Sequence, residues 1–301
     1  MTDTLTRPDP SPTPENTGPK KSYRAIKRRN RIVGGTVARV LMIILSVLFL
    51  VPLYWMVATA LKSDQELAQF PPTLFPQSWN WGIFAETVAA FPFWQMFTNT
   101  AVVTVAGTVL ATLSSYVVAY GFSCINWPGR EKVFYLVLGT LFIPFPLAII
   151  PLFDLFANLG WVNTLFPLIV PNMFASAFYI FLLRQFLKQA AQENIDAARI
   201  DGANEWTICW RIVFPAARPA LIAVAIFAAV GAWNDFLGPL IYLQDPSVQT
   251  LAIGLQGFQT ATDTRYNQLM AASLLTILPL IILFAIFQRY FIRGLNVGGF
   301  R

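Results

Sequence analysis

The chain of 301 residues contains no histidine and only two cysteines, Cys124 and Cys209. A His-based nucleophilic triad and a Cys/His zinc site are therefore excluded. No G-x-x-x-x-G-K-[ST] phosphate loop occurs either, so the chain offers no such cradle for a nucleotide. Charge is scarce: 12% of residues are charged and 56% are hydrophobic, where soluble domains carry roughly a quarter charged residues. What is present in their place is long apolar sequence, the composition of an integral membrane protein.

Six runs are long enough to cross about 30 Å of hydrocarbon at about 1.5 Å per residue: residues 38–61, 97–122, 133–159, 165–186, 220–243 and 269–291. Six crossings put both termini on one side. Lys20, Lys21, Arg24, Lys27, Arg28, Arg29 and Arg31 precede the first run, Arg130 and Lys132 follow the second, and Arg184, Lys188, Arg199, Arg211 and Arg218 lie around the end of the fourth. These collect on one face, as cytoplasmic loops do. The other face has Lys62 and Arg265 against Asp64, Glu66, Glu86, Asp245 and Asp263. Both termini are therefore expected in the cytoplasm, and the net charge of +6 is accounted for by topology without a nucleic-acid partner. Residues 1–32 are expected to form a basic, disordered tail ahead of a six-helix domain over 33–301. The first run starts too late and is too long for a signal peptide.

A polar island, ENIDAARIDGANEWTICWRIVFPAARP from Glu193 to Pro219, interrupts the apolar sequence. Its acids nearly balance Arg199, Arg211 and Arg218, whereas a loop made only to lie on an anionic leaflet is basic. Ala197 and Ala198 behind Asp196 favour a short helix, and Asp201-Gly202 is where it stops and turns. Asn204 is placed to cap a second helix, with Trp206, Cys209, Trp210 and Val213 on one stripe. The expected fold is all-α, with six transmembrane helices and a cytoplasmic helix-turn-helix loop at residues 188–219.

The segment DAARIDGA, from Asp196 to Ala203, resembles the EAA, three residues, Gly pattern in the coupling loop of ABC-importer permeases, with Asp196 where that family usually has Glu. WNDFLGPLIYL, from Trp233 to Leu243, resembles the fifth span of the carbohydrate group, the maltose and glycerol-3-phosphate type, and FQRYFIRGLNVGG, from Phe287 to Gly299, resembles its C-terminal tail. The resemblance implies a permease subunit of a bacterial or archaeal cytoplasmic membrane importer, moving a sugar or polyol-phosphate. It implies Glu193, Asp196, Ala197, Ala198, Asp201 and Gly202 as the contact with an ATP-binding cassette ATPase dimer. It also implies a second homologous permease subunit, an extracytoplasmic solute-binding protein, and ATP held by the partner rather than by a cofactor site here.

Within the apolar runs, breakers cluster at Pro144, Pro146, Pro151, Pro167, Pro171, Gly231, Gly238 and Pro239, and such breaks survive beside protein or a water-filled cavity. Asn172, Asn234 and Asp235 are the polar candidates for a pathway, and Asp235 reads somewhat more readily as a structural anchor. Asp154 falls near the outer end of the third run, in reach of water. Trp79, Trp81 and Trp161 are expected in the outer interfacial belt. An ion-coupled secondary carrier is the competing expectation; it would have to rely on Asp235 and Asp154, and no repeat relates the two halves.

Overall fold

The computed structural model describes residues 20–190, 192–259 and 265–296, with side chains within 36–189, 194–259 and 265–288. Residues 1–19, most of the expected tail, and the Glu193 side chain lie outside the described residues. The chain divides into two compact units, Met1–Trp55 and Met56–Arg301. The first helix spans Lys20–Leu61. That helix begins among the basic residues, so the boundary expected at residue 32 is not marked by a break. Lys and Arg are good helix formers and extend the register of the apolar run behind them.

The described residues are helical, with no strand among them. Four helices are long and apolar enough to cross a membrane: Thr36–Leu61, Phe93–Ser123, Phe166–Gln189 and Tyr266–Gln288. Two further candidates are bent pairs, Arg130–Phe142 with Phe145–Asn158 at 93°, and Glu205–Ala216 with Arg218–Trp233 at 78°.

The third run is therefore not the continuous crossing expected over 133–159. Ile143, ahead of Pro144, takes an extended ψ of 108°, because the proline ring disfavours helix at the residue before it. The fifth run departs too: helix Arg218–Trp233 stops at Asn234 and a short helix, Leu237–Tyr242, follows. Asn234 Nδ2 donates back to Val230 O at 2.8 Å, and Asp235 Oδ1 accepts from Gly238 N at 3.2 Å. Two short polar side chains thus bind local backbone and end the helix.

The fourth run is irregular at Val170–Phe174, a tight turn of helix, and Ala175 has φ 60°. The backbone groups freed there find partners on the neighbouring Phe93–Ser123 helix. Ser114 Oγ donates to Asn172 O at 3.0 Å, and Ser115 Oγ accepts from Ser176 N at 3.1 Å. In lipid such groups have no water to turn to, so these serines are what makes the break tolerable.

Phe93–Ser123 is the central helix, packed on Arg218–Trp233 and Ala177–Ala190. The main core joins Tyr116, Leu183, Leu187, Ile195, Ile208, Val213 and Val224. Arg184, counted above with the cytoplasmic cations, is buried: its guanidinium lies 3.8 Å from the Phe134 ring and donates to Glu131 Oε1 at 2.5 Å.

Candidate functional site: a clamped turn and a polar cavity

The polar island folds as helix Gln192–Ile200, a reversal, and a second helical segment starting at Glu205. Gly202 sits at φ 80°. Ala203 N donates to Ala198 O and Gly202 N to Arg199 O, each at 3.0 Å, the paired bonds that satisfy the last carbonyls of a helix ending in a left-handed residue. Asn204 Oδ1 accepts from Thr207 N at 2.8 Å and starts the next segment.

Asp196, Ala197, Asp201 and Gly202 are exposed, whereas Ala198 packs inward with Ile195. The two alanines therefore face opposite ways. Ile200 beside the turn is 87% exposed and Trp206 just beyond it 69%. The stripe read from Trp206 is thus divided: Cys209 and Val213 are buried, Trp210 is half-buried and Trp206 stands out.

A network missed by sequence reasoning ties this turn to the central helix. Arg199 Nε donates to Glu205 Oε1 at 2.8 Å and its Nη2 to Cys124 O at 2.6 Å, while Asp196 lies 3.5 Å from Nη1. Glu205 Oε2 accepts from the Tyr120 hydroxyl at 2.6 Å. The Cys124 carbonyl follows the end of the Phe93–Ser123 helix, where a cation also meets the negative end of the helix dipole. The bond to Glu205 holds the Arg199 guanidinium above its ordinary range. One turn earlier on the same helix, Tyr116 donates to Cys209 O at 2.6 Å, within the widened π-helical turns Ile208–Val213. The two tyrosines, four residues apart in an apolar run, were the available signal, since a buried phenol needs an acceptor. Burial pushes the Cys124 thiol up to about 12, so it is not a nucleophile.

The second feature is a cavity of about 290 Å³ in which Asn172, Tyr179 and Asp235 meet, with Gly107 and Gly231 on its wall. Two of the three pathway candidates are thereby brought together. Asn234 is not among the lining residues; it is exposed and engaged with its own helix. Asp154 is exposed, and Trp79 stacks on Trp81 with ring centres 6.2 Å apart.

Residues 125–297, which hold both features apart from the contributions of the central helix, match the family described as binding-protein-dependent transport system inner membrane component. The chain belongs to this family. It is the permease component of an ABC importer, a transporter rather than an enzyme. Among relatives of this permease, the arabinooligosaccharides transport system permease protein AraQ of Halalkalibacterium halodurans is 41% identical over 207 residues, covering 69% of this chain and 74% of that protein. The diacetylchitobiose uptake system permease protein NgcG of Streptomyces coelicolor is 32% identical over 268 residues, 88% of each. The sn-glycerol-3-phosphate transport system permease protein UgpE of Yersinia pestis is 33% identical over 267 residues, 85% of this permease and 94% of that protein. In the crystal structure of a bacterial ABC transporter involved in the import of the acidic polysaccharide alginate, one chain shares the fold with a TM-score of 0.74 at 24% identity, covering 88% of this permease and 98% of that chain.

Proposed function

We propose that this permease crosses the cytoplasmic membrane six times, each bent pair counting as one crossing, with both termini and residues 188–219 in the cytoplasm. It lines part of the path for a sugar or polyol-phosphate. Its 188–219 loop docks on an ATP-binding cassette ATPase dimer through Glu193, Asp196, Ala197, Asp201 and Gly202, with the exposed Ile200 alongside; Ala198 supports that surface from within. A second homologous permease subunit completes the pathway, and a solute-binding protein delivers cargo at the outer face.

The observation that carries this reading is an exposed turn clamped from behind. Asp196, Ala197, Ile200 and Gly202 face outward, while Arg199 and Glu205 bind the turn to Tyr120 and Cys124 of the central helix. A surface fixed to a spanning helix in this way transmits a push as rigid-body movement. The cargo reading is supported by the relatives that handle arabinooligosaccharides, diacetylchitobiose and sn-glycerol-3-phosphate.

The test is co-purification in mild detergent, followed by measurement of ATP hydrolysis with candidate sugars and the binding protein present. The ATPase should travel with this permease, and cargo-loaded binding protein should stimulate hydrolysis. Uptake driven by an ion gradient in vesicles without ATP would sink the reading.

A further inference from the structure

The relatives move both neutral and anionic cargo, and the cavity chemistry separates the two. We propose that the cavity at Asn172, Tyr179 and Asp235 admits neutral, polyhydroxylated cargo and turns anionic cargo away, with Asp235 as the charge filter. This rests on the reading that these residues line the pathway.

At about 290 Å³ the cavity lies at the small end of ligand pockets, room for about one sugar ring at a time. Two of its polar side chains, Asp235 and Asn172, present acceptors, and the Tyr179 hydroxyl can donate or accept. Asp235 Oδ1 takes the Gly238 N–H at 3.2 Å, and the carboxylate is wedged in place: a Cβ on Gly238 would stand 2.6 Å from Asp235 Oδ2. Asn172 Nδ2 donates one of its two N–H groups to Leu168 O at 2.9 Å, and its Oδ1 is an acceptor. Sugar hydroxyls donate to such groups. An ionised phosphate or carboxylate has no proton to donate and meets a like charge.

No Lys or Arg is among the residues lining the cavity to offset Asp235. At about 6 Å and an effective dielectric constant of about 20, like-charge repulsion weakens binding on the order of 100-fold. Gly231 opens the wall, since a Cβ there would meet nothing within 4 Å. The first atom of a side chain added at this position therefore meets no clash.

The experiment uses proteoliposomes holding the complete importer, with ATP in the lumen and binding protein outside. The probes are a neutral oligosaccharide and the same sugar carrying a phosphate or a uronate, each uptake normalised to the binding protein it loads. The neutral form should enter at least tenfold faster. Asp235→Asn, which keeps an acceptor for Gly238 N–H, should raise the anionic-to-neutral ratio at least tenfold; an unmoved ratio overturns the filter. If Asp235→Asn fails to assemble, Gly231→Asp is read in its place, and this second carboxylate should lower the ratio at least fivefold, an unmoved ratio again overturning the filter. Gly231→Phe separates the two layers. Uptake that persists in this variant removes the cavity from the pathway altogether, whereas blocked uptake with an unmoved Asp235→Asn ratio leaves the pathway standing and sinks the filter alone.

Discussion

The Tyr120 hydroxyl donates to the Glu205 carboxylate at 2.6 Å, joining the central helix to the first turn after the Gly202 reversal. Glu205 also holds Arg199, so two of the three links of the clamp pass through one carboxylate. Arg199 and Glu205 are 33% and 44% exposed, which screens their attraction, and a double-mutant cycle on the pair should give about 1 kcal/mol or less. The functional cost is expected to be larger. Tyr120→Phe and Glu205→Gln should leave ATP hydrolysis in the purified complex while lowering uptake per ATP several-fold. An unchanged ratio of uptake to hydrolysis in both variants would show that force does not travel through the clamp.

Gly202 provides an independent handle on the same surface. At φ 80° an L side chain costs about 1–2 kcal/mol, more for a β-branched one, although a Cβ there meets no atom within 4 Å. Gly202→Val should therefore distort the turn through its backbone and not through a clash. Uptake in membrane vesicles should fall at least tenfold with the protein still inserted, and Gly202→Asn, which tolerates the left-handed region, should retain most of it.

The membrane class and the helix-stopping glycine were legible because each follows from local chemistry: long apolar runs, and a Gly where only positive φ closes the turn. The clamp was not. Arg199 meets Cys124 across 75 residues and Tyr120 meets Glu205 across 85, and no periodicity reports such distant pairings. Pro144 and Pro146 were readable as breakers, but a hydropathy run carries no angle, so the 93° bend was not. Asn234 and Asp235 look alike in sequence, yet one closes on its own helix while the other reaches a cavity, a difference of a fraction of a turn. Arg184 reads as a topological cation and turns out to be a buried bundle residue, because its partners Phe134 and Glu131 lie on another helix.

The irregular fourth run gives two substitutions of opposite sign. Ser115→Ala removes the acceptor of Ser176 N in a fully buried place and should destabilise by about 1 kcal/mol, the scale of single side-chain hydrogen bonds in membrane bundles. Ala175 at φ 60° and ψ 155° occupies a region suited to glycine, so Ala175→Gly should stabilise by about 1 kcal/mol or more. Thermal unfolding of the detergent-purified importer reads both. A shift of the same sign in the two variants would mean that this break is not held as described.

Glu66 organises the loop after the first helix. It is buried, accepting from Thr73 Oγ1 at 2.7 Å and from Gln77 N at 3.0 Å, while Lys62 donates to the Thr73 carbonyl. Burial alone raises its pKa, but these hydrogen bonds and the nearby Lys62 ammonium outweigh it and hold the carboxyl below its ordinary 4.5. A carboxyl with a depressed folded pKa contributes stability that is present above the unfolded value and lost as pH falls through the folded one. The loop should accordingly keep its structure at neutral pH and loosen only as pH drops below 4.5. A fluorophore on the exposed Gln69→Cys would report this as a rise in mobility with acid. Glu66→Gln keeps an acceptor but cannot ionise, so its mobility should already be raised at neutral pH and should lose most of its acid dependence. A variant that titrates like the parent would assign the transition to another group.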